Sequence, residues 1–381
     1  MNRNEQLVKD LLSLGEIDVN GNKPWDLKVS DSRAYDRILG EGVLGFAESY
    51  IDGWIDCEQM DELVSRLLSV DIKTKLKKNW SLIFHILKSR LFNLQVLSRS
   101  SQVANVHYNL SNEFYELMLG KSMAYTAAYW KEAENLDQAQ YDKYDLVCRK
   151  LYLNENDSVL ELGCGWGGFA KYAAENYGCK VTSVNISSEQ IKYAKSFCNG
   201  LPVSLFQCDY RDQKAYNPDN LKFDKAVSIG MAEHVGPKNY RDLFKTVNSQ
   251  LKPDGLFLLH TIGSEVSLSA CEPFTQKYIF PNSVLPSIKQ IGKAIEGLFI
   301  TEDLQNFGKY YYNTLKGWYD NYKENWDTIQ KLDNEKFTSR FDKIWKFYLF
   351  GGMGMAKSKT NHLWQFVFSN RGYKELYEAV R

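Results

Sequence analysis

The sequence predicts an α/β fold, with a mostly parallel sheet covered by helices on both faces and a smaller, mainly helical N-terminal domain before it. Three observations carry this. From Asp157 onward, short apolar runs alternate with stretches of helical spacing, the pattern of strand–helix–strand units. The first of those runs, Val159-Leu160-Glu161-Leu162, ends in Gly163-Cys164-Gly165-Trp166-Gly167-Gly168. That is a tight turn into a helix, where missing side chains let the backbone approach a ligand closely. Residues 1–105 instead show helical spacing and short loops.

Taken in order, residues 6–14 have helical spacing. Residues 35–45 and 49–55 set aromatics near glycines and read as short helices and turns. Residues 158–162 form the first strand of the alternating part, followed by a helix over 169–177. A second strand covers 180–184 and a helix 189–197. A third strand covers 203–207 and a fourth 225–229. A helix follows over 240–251, then a turn at Pro253-Asp254-Gly255, a fifth strand over 256–261 and a last strand over 362–369. Between the last two strands lies an aromatic-rich insertion with Tyr278-Ile279-Phe280-Pro281, Tyr310-Tyr311-Tyr312 and Trp318-Tyr319. In such a sheet, ligands bind at the carboxyl ends of the strands.

Composition narrows the partners. The 381 residues carry 47 basic and 47 acidic side chains, so bulk charge points to no nucleic-acid partner. The seven cysteines, an odd number without metal-type Cys-x-x-Cys spacing, indicate free thiols in a reducing cytoplasm and no metal site. No apolar run approaches the roughly 20 residues of a spanning helix, and residues 1–5 show no apolar signal core. The expectation is a protein in the cytoplasm, soluble or bound at a membrane surface. One segment is locally asymmetric. Arg66, Lys73, Lys75, Lys77, Lys78, Lys88, Arg90 and Arg99 face a single acid, Asp71, and interleave with Leu76, Trp80, Ile83, Phe84, Leu87, Leu91 and Phe92. A basic, aromatic, amphipathic segment can lie on an anionic lipid surface; a solvated helix face docked on the next domain is the plainer alternative.

The glycine turn suits two nucleoside cofactors. A nicotinamide site has Gly-x-Gly-x-x-Gly with an acid about 20 residues on. Here the second strand ends in Val184-Asn185-Ile186-Ser187, without that acid, and Glu161 stands before the glycines instead. This arrangement resembles the first motif of class I S-adenosylmethionine-dependent methyltransferases.

Longer motifs narrow the family. They are His107-Tyr108, Asn112-Glu113-Phe114-Tyr115, Met123-Ala124-Tyr125-Thr126-Ala127-Ala128-Tyr129-Trp130, Gly230-Met231-Ala232-Glu233-His234-Val235-Gly236, Leu258-Leu259-His260-Thr261-Ile262-Gly263, Lys277-Tyr278-Ile279-Phe280-Pro281-Asn282 and Leu285-Pro286-Ser287. With Gly45-Phe46-Ala47-Glu48-Ser49-Tyr50 and Asp52-Gly53-Trp54 near the start, the chain closely resembles the cyclopropane-fatty-acyl-phospholipid synthases over nearly its whole length. The resemblance implies a Rossmann-like methyltransferase domain over 106–381 with a seven-stranded sheet, and a helical domain over 1–105 that binds lipid or membrane. It implies methylene transfer from S-adenosylmethionine to the cis double bond of an acyl chain in a membrane phospholipid, with bound bicarbonate removing a proton from a carbocation. Glu233, His260 and Tyr319 would be catalytic. Bicarbonate would contact these three and the backbone amides of Ala127 and Ile262. Tyr125, Thr126, Glu161, Gly163, Gly165, Asn185, Gln190, Tyr210 and Arg211 would bind the cofactor. Tyr278 and Phe280 would line the acyl tunnel. A homodimer on the inner face of the cell membrane is the expected assembly and location. A related methyltransferase acting on a small amine or soluble acyl group is the alternative; an idle lipid carrier is disfavoured by the intact set of polar residues.

Overall fold

The computed structural model describes residues 3–70 and 110–381. Most of the basic run between 66 and 99, and the pair His107-Tyr108, lie outside the described residues. The chain divides into two units. One comprises residues 1–110, 271–282 and 323–360; the other comprises 111–270, 283–322 and 361–381. The sequence reading cut the chain once, near 105, and the observed division differs by giving two later segments to the first unit.

Packing explains that difference. The first unit contains helices α1 (Arg3–Ser13), α2 (Arg33–Glu41), α3 (Val43–Ile51) and α4 (Met60–Ser69), with a two-stranded antiparallel ribbon, β1 (Lys28–Val29) and β2 (Ile55–Asp56). The helix Ser339–Lys357 lies along α4. At Gly354 an added Cβ would come 2.6 Å from Val64 Cβ, so the helices close there because the side chain is missing. Rings of Phe46, Tyr50 and Phe274 gather on Phe347 at 6.1, 5.9 and 4.7 Å. Buried Glu48 on α3 accepts from Lys277 Nζ at 2.6 Å and from the Tyr278 hydroxyl at 2.9 Å, and it pairs with Arg37. Buried carboxylates require such partners. Arg66, the one described member of the basic run, is engaged by Glu62 at 2.8 Å and Glu16 at 3.2 Å, with its guanidinium 4.1 Å from the Trp25 ring centroid. No described helix is long and apolar enough to cross a membrane.

The second unit is built on a seven-stranded sheet of order β5-β4-β3-β6-β7-β9-β8. Its strands are β3 (Ser158–Leu162), β4 (Lys180–Asn185), β5 (Val203–Gln207), β6 (Phe223–Ile229), β7 (Leu251–Ser264), β8 (Phe299–Asn306) and β9 (Asn361–Asn370). β3 to β7 pair in parallel; β9 pairs antiparallel with both β7 and β8. The expected α/β class and mostly parallel seven-stranded sheet are borne out. Two element readings are corrected. Residues 253–255 are not a free turn: they lie within β7, where pairing with β6 jumps from Phe223↔Leu251 to Lys225↔Leu256 across an irregularity. The insertion also contributes β8, an edge strand that the sequence reading did not single out.

Side chains alternate between the faces of the sheet. Leu160, Leu162, Phe257, Leu259, Trp364, Phe366 and Phe368 build one core. Val159, Val181, Val227, Leu256, Leu258 and Val367 build the other. The second face is covered by α6 (Leu136–Lys150) and α7 (Gly168–Tyr177), which follow α5 (Asn112–Leu119). By parity, Glu161, His260 and Gln365 belong to this second face. The strand order reverses at β3, so the crevice for a ligand opens at its carboxyl end.

Candidate active site

β3 delivers the chain into the glycine turn. Gly163 has φ +79° and Gly165 φ +53°, in the left-handed region that costs a side-chain-bearing residue roughly 1–2 kcal/mol. The two glycines differ in what they face. A Cβ on Gly163 would lie 2.9 Å from Met231 Cβ, whereas one on Gly165 would meet nothing within 4 Å. Gly163 therefore permits close packing against the chain after β6, and Gly165 presents its backbone to open space. Asn185, at the end of β4, donates from Nδ2 to Gly165 O at 3.3 Å and to Gln190 Oε1 at 2.8 Å. Gly165, Asn185 and Gln190 are thus brought together. Glu161 lies behind the turn, accepting from Ser183 Oγ at 2.6 Å. Burial pushes its carboxyl up to about 7, against the opposing effect of that hydrogen bond.

The segment 123–130 is held from two sides. On α6, Gln140 Nε2 donates to the carbonyls of Ala124 at 3.3 Å and Thr126 at 2.9 Å, and Lys143 Nζ donates to Thr126 Oγ1 and Gln140 Oε1, each at 2.7 Å. Lys143 is fully buried, and burial holds its ammonium well below the usual lysine range. On α8 (Lys309–Glu324), Thr314 Oγ1 accepts from Ala128 N and Trp130 Nε1, each at 3.0 Å. Between these supports runs a chain of rings. Trp166 is 4.7 Å from Tyr115, Tyr115 is 5.6 Å from Tyr125, and Tyr125 is 5.2 Å from Trp318. Trp166 Nε1 is anchored by Asn112 Oδ1 at 2.8 Å. Tyr125 and Thr126 are half-buried and Ala127 is buried, so this segment and the glycine turn share one aromatic wall.

The polar centre lies where β6 ends against β7. Glu233 follows β6 and is buried; its Oε1 accepts from Ile262 N at 2.6 Å. Its Oε2 has no hydrogen-bond partner among the described residues. Burial raises its carboxyl above the ordinary value, while hydrogen bonds from backbone amides, including that of Ile262, pull it back. His260 on β7 is also buried, and its Nε2 has no partner among the described residues. Burial first, then the positive charges of Lys143 and Lys150, keep the ring far below the usual histidine range, so it is neutral near pH 7. Its ring packs 5.8 Å from Phe307, which in turn meets Tyr129 at 5.5 Å.

The remaining sequence-selected residues have varied surroundings. The Ile262 amide, assigned to bicarbonate, is engaged by Glu233. Arg211, assigned to the adenine, is exposed and forks onto Asp209 at 2.8 and 2.5 Å, because the two side chains lie two residues apart on one turn. Tyr210 is half-buried against the first core. Tyr319 is half-buried on α8, one residue after the buried Trp318. Tyr278 and Phe280 belong to the first unit, where the Tyr278 hydroxyl is taken by Glu48 and Phe280 meets Tyr348 at 6.0 Å. The sequence reading missed Lys143, Thr314 and Gln365. A polar residue inside the apolar run Leu363-Trp364-Gln365-Phe366-Val367-Phe368 was the one available signal for the last.

Chemically, the arrangement offers a backbone-lined turn suited to a nucleoside after β3 and two buried polar atoms without partners among the described residues, Glu233 Oε2 and His260 Nε2. One, on Glu233, accepts a hydrogen bond; the other, on a neutral imidazole, can donate or accept one. Leaving both unpaired costs about 1–3 kcal/mol each, which favours a small polar guest that satisfies them. Among the described residues no cluster of His, Cys, Asp and Glu could hold a metal ion.

Residues 95–366 match the family model described as mycolic acid cyclopropane synthetase. The chain is 42% identical over 376 residues to the cyclopropane-fatty-acyl-phospholipid synthase of Escherichia coli strain K12, covering 99% of this chain and 96% of that one. It is similar to the crystal structure of mycolic acid cyclopropane synthase CmaA1 complexed with SAH and CTAB, with a TM-score of 0.62, 26% identity, and coverage of 70% of this chain and 98% of that one. A coclaurine N-methyltransferase structure, bound to N-methylheliamine and SAH, shares the fold at a TM-score of 0.67 and 21% identity, covering 87% of this chain and 99% of that one.

Proposed function

The chain belongs to the mycolic acid cyclopropane synthetase family, and on that premise we propose that it builds cyclopropane rings on the unsaturated acyl chains of membrane phospholipids. S-adenosylmethionine would supply an electrophilic methyl group on a sulfonium. In the reading proposed, the methyl–sulfur bond would break as a new carbon–carbon bond to the alkene forms, the neutral thioether S-adenosylhomocysteine would leave, and positive charge would fall on the neighbouring carbon. A proton would then pass from the added methyl to bicarbonate, the electron pair of that C–H bond would close the ring, and carbonic acid would depart. The observation that carries this is the pair of unmet buried atoms, Glu233 Oε2 and His260 Nε2.

The residues present fit both guests. Gly165 faces open space, where its backbone can lie against the cofactor. Asn185, bonded to Gly165 and Gln190, would with Gln190 take the place of a ribose acid, with Tyr125, Thr126 and Tyr210 as further walls and Glu161 behind. Bicarbonate has a hydroxyl to give and oxygens to be given to. Glu233 Oε2 would accept the hydroxyl hydrogen, which turns a costly anion–carboxylate approach into a hydrogen bond. His260 would donate to an oxygen, with Tyr319 and the Ala127 amide as further donors. The Ile262 amide, bonded to Glu233 Oε1 at 2.6 Å, would leave Oε2 for the guest. An alkene is a weak nucleophile, so rigid alignment must do much of the work, and such positioning can supply roughly 7–11 kcal/mol. Aromatic rings near the reacting carbon would stabilise positive charge without capturing it.

The reading extends to a peripheral location on the inner face of the cell membrane, with the basic, aromatic residues between 66 and 99 against anionic lipid, and to a homodimer. The test is a partition of label. With labelled S-adenosylmethionine, unsaturated phospholipid vesicles and soluble amines in one reaction, label is expected in the lipid. Label confined to the amines would overturn the reading in favour of an amine methyltransferase.

A further inference from the structure

The last strand buries an amide where its pattern calls for a hydrocarbon. Gln365 is 0% exposed and lies directly opposite His260, which is 1% exposed, in the antiparallel register of β7 and β9. Residues facing one another in this way project to the same side of the sheet. Gln365 Nε2 stands 3.3 Å from His260 Nδ1. Its own Oε1 has no partner among the described residues, and neither does His260 Nε2. A leucine or methionine would fill the space without stranding a carbonyl oxygen, so packing alone does not account for an amide there.

A neutral imidazole carries one N–H, and the partner of one nitrogen decides which nitrogen holds it. The Gln365 amide donates to Nδ1. Nδ1 is then the acceptor, and the hydrogen resides on Nε2, the nitrogen left open. Lys143 and Lys150, on the helix that covers this face, oppose a second proton on the ring.

We infer that Gln365 is a positioning residue for the reaction, fixing Nε2–H as the donor that His260 presents to the anion. The link to the reaction rests on the function proposed above; the assignment of the hydrogen does not.

Nitrogen-15 NMR of ligand-free protein labelled at histidine tests the assignment, with the His260 signals identified by their loss in His260→Asn. In the wild type, an acceptor-type Nδ1 and a protonated Nε2 are expected. In Gln365→Glu the proton is expected to move to Nδ1, because a carboxylate there can only accept. Gln365→Leu should lower kcat on vesicles on the order of 100-fold, the size of losing one preorganised donor, with KM for S-adenosylmethionine unchanged. A protonated Nδ1 in the wild type, or wild-type kcat in Gln365→Leu, would overturn the inference. Should Gln365→Leu fail to fold, the wild-type spectrum decides by itself. Should the wild type turn over no lipid at all, the proposed function fails while the spectrum still tests the tautomer.

Discussion

Glu161 joins a readable motif to a measurable consequence. The acid before the glycines was legible because that position separates two cofactor chemistries by residue type alone. Its environment was not legible, since Ser183, the donor at 2.6 Å, lies on the neighbouring strand. Burial raises the folded carboxyl from 4.5 to about 7. The sign follows from linkage: the folded protein holds this proton more tightly than the unfolded chain, so the contribution is fully present below pH 4.5 and fades as pH rises through 7. A shift of that size corresponds to roughly 3 kcal/mol. Chemical denaturation at pH 5 and pH 8 should therefore show a loss in the wild type that Glu161→Gln largely abolishes. Equal losses in both proteins would contradict the assignment. At the same scale, Glu233 and His260 were legible from their motifs. Gln365 was not, because its significance comes from a partner 105 residues away.

Elements were legible where their pattern is local. β3 and β5 coincide with the expected runs 158–162 and 203–207, and β4, β6, β7 and β9 extend the expected runs, because buried parallel strands read as short apolar stretches. β8, Phe299–Asn306, was not singled out. It is an edge strand with polar residues along much of its length, and its identity depends on β9, more than fifty residues later. The turn expected at 253–255 failed for a related reason: Pro253, Asp254 and Gly255 are turn formers, yet β6 and β9 hold the chain extended on either side of them. β8 also carries a stability feature. Asp303, 7% exposed, sits 3.3 Å from the buried Lys150 ammonium at the end of α6 and takes both guanidinium nitrogens of Arg381 at 2.6 Å. Burial lowers Lys150 to about 8, with Asp303 opposing that fall. Asp303→Asn leaves two cations facing each other without a carboxylate, and a cost of roughly 3–5 kcal/mol is expected. The deficit should widen as pH falls below 8, because the buried lysine then resists a proton that the unfolded chain accepts. Urea denaturation at pH 7 and pH 9 checks this; a loss under 1 kcal/mol at pH 7, about that of a surface pair, would contradict it.

For the whole molecule, the sequence conveyed a helical N-terminal region and a large α/β part. It did not convey that residues 271–282 and 323–360 group with the former. That division depends on packing between distant segments, such as Gly354 on Val64 and Phe274 on Phe347, which no local pattern encodes. The proposed function stands on two buried polar atoms without partners among the described residues, Glu233 Oε2 and His260 Nε2, which would hold the bicarbonate that takes a proton from a carbon that has just gained a methyl group. Ring closure and simple methylation leave different products from the same lipid. Mass spectrometry of phospholipid acyl chains, after incubation of the full chain with S-adenosylmethionine and unsaturated vesicles, distinguishes them most directly. The prediction is a gain of one CH2 with loss of the alkene; a gain of one CH2 with the double bond retained, or no change in the acyl chains, would contradict it.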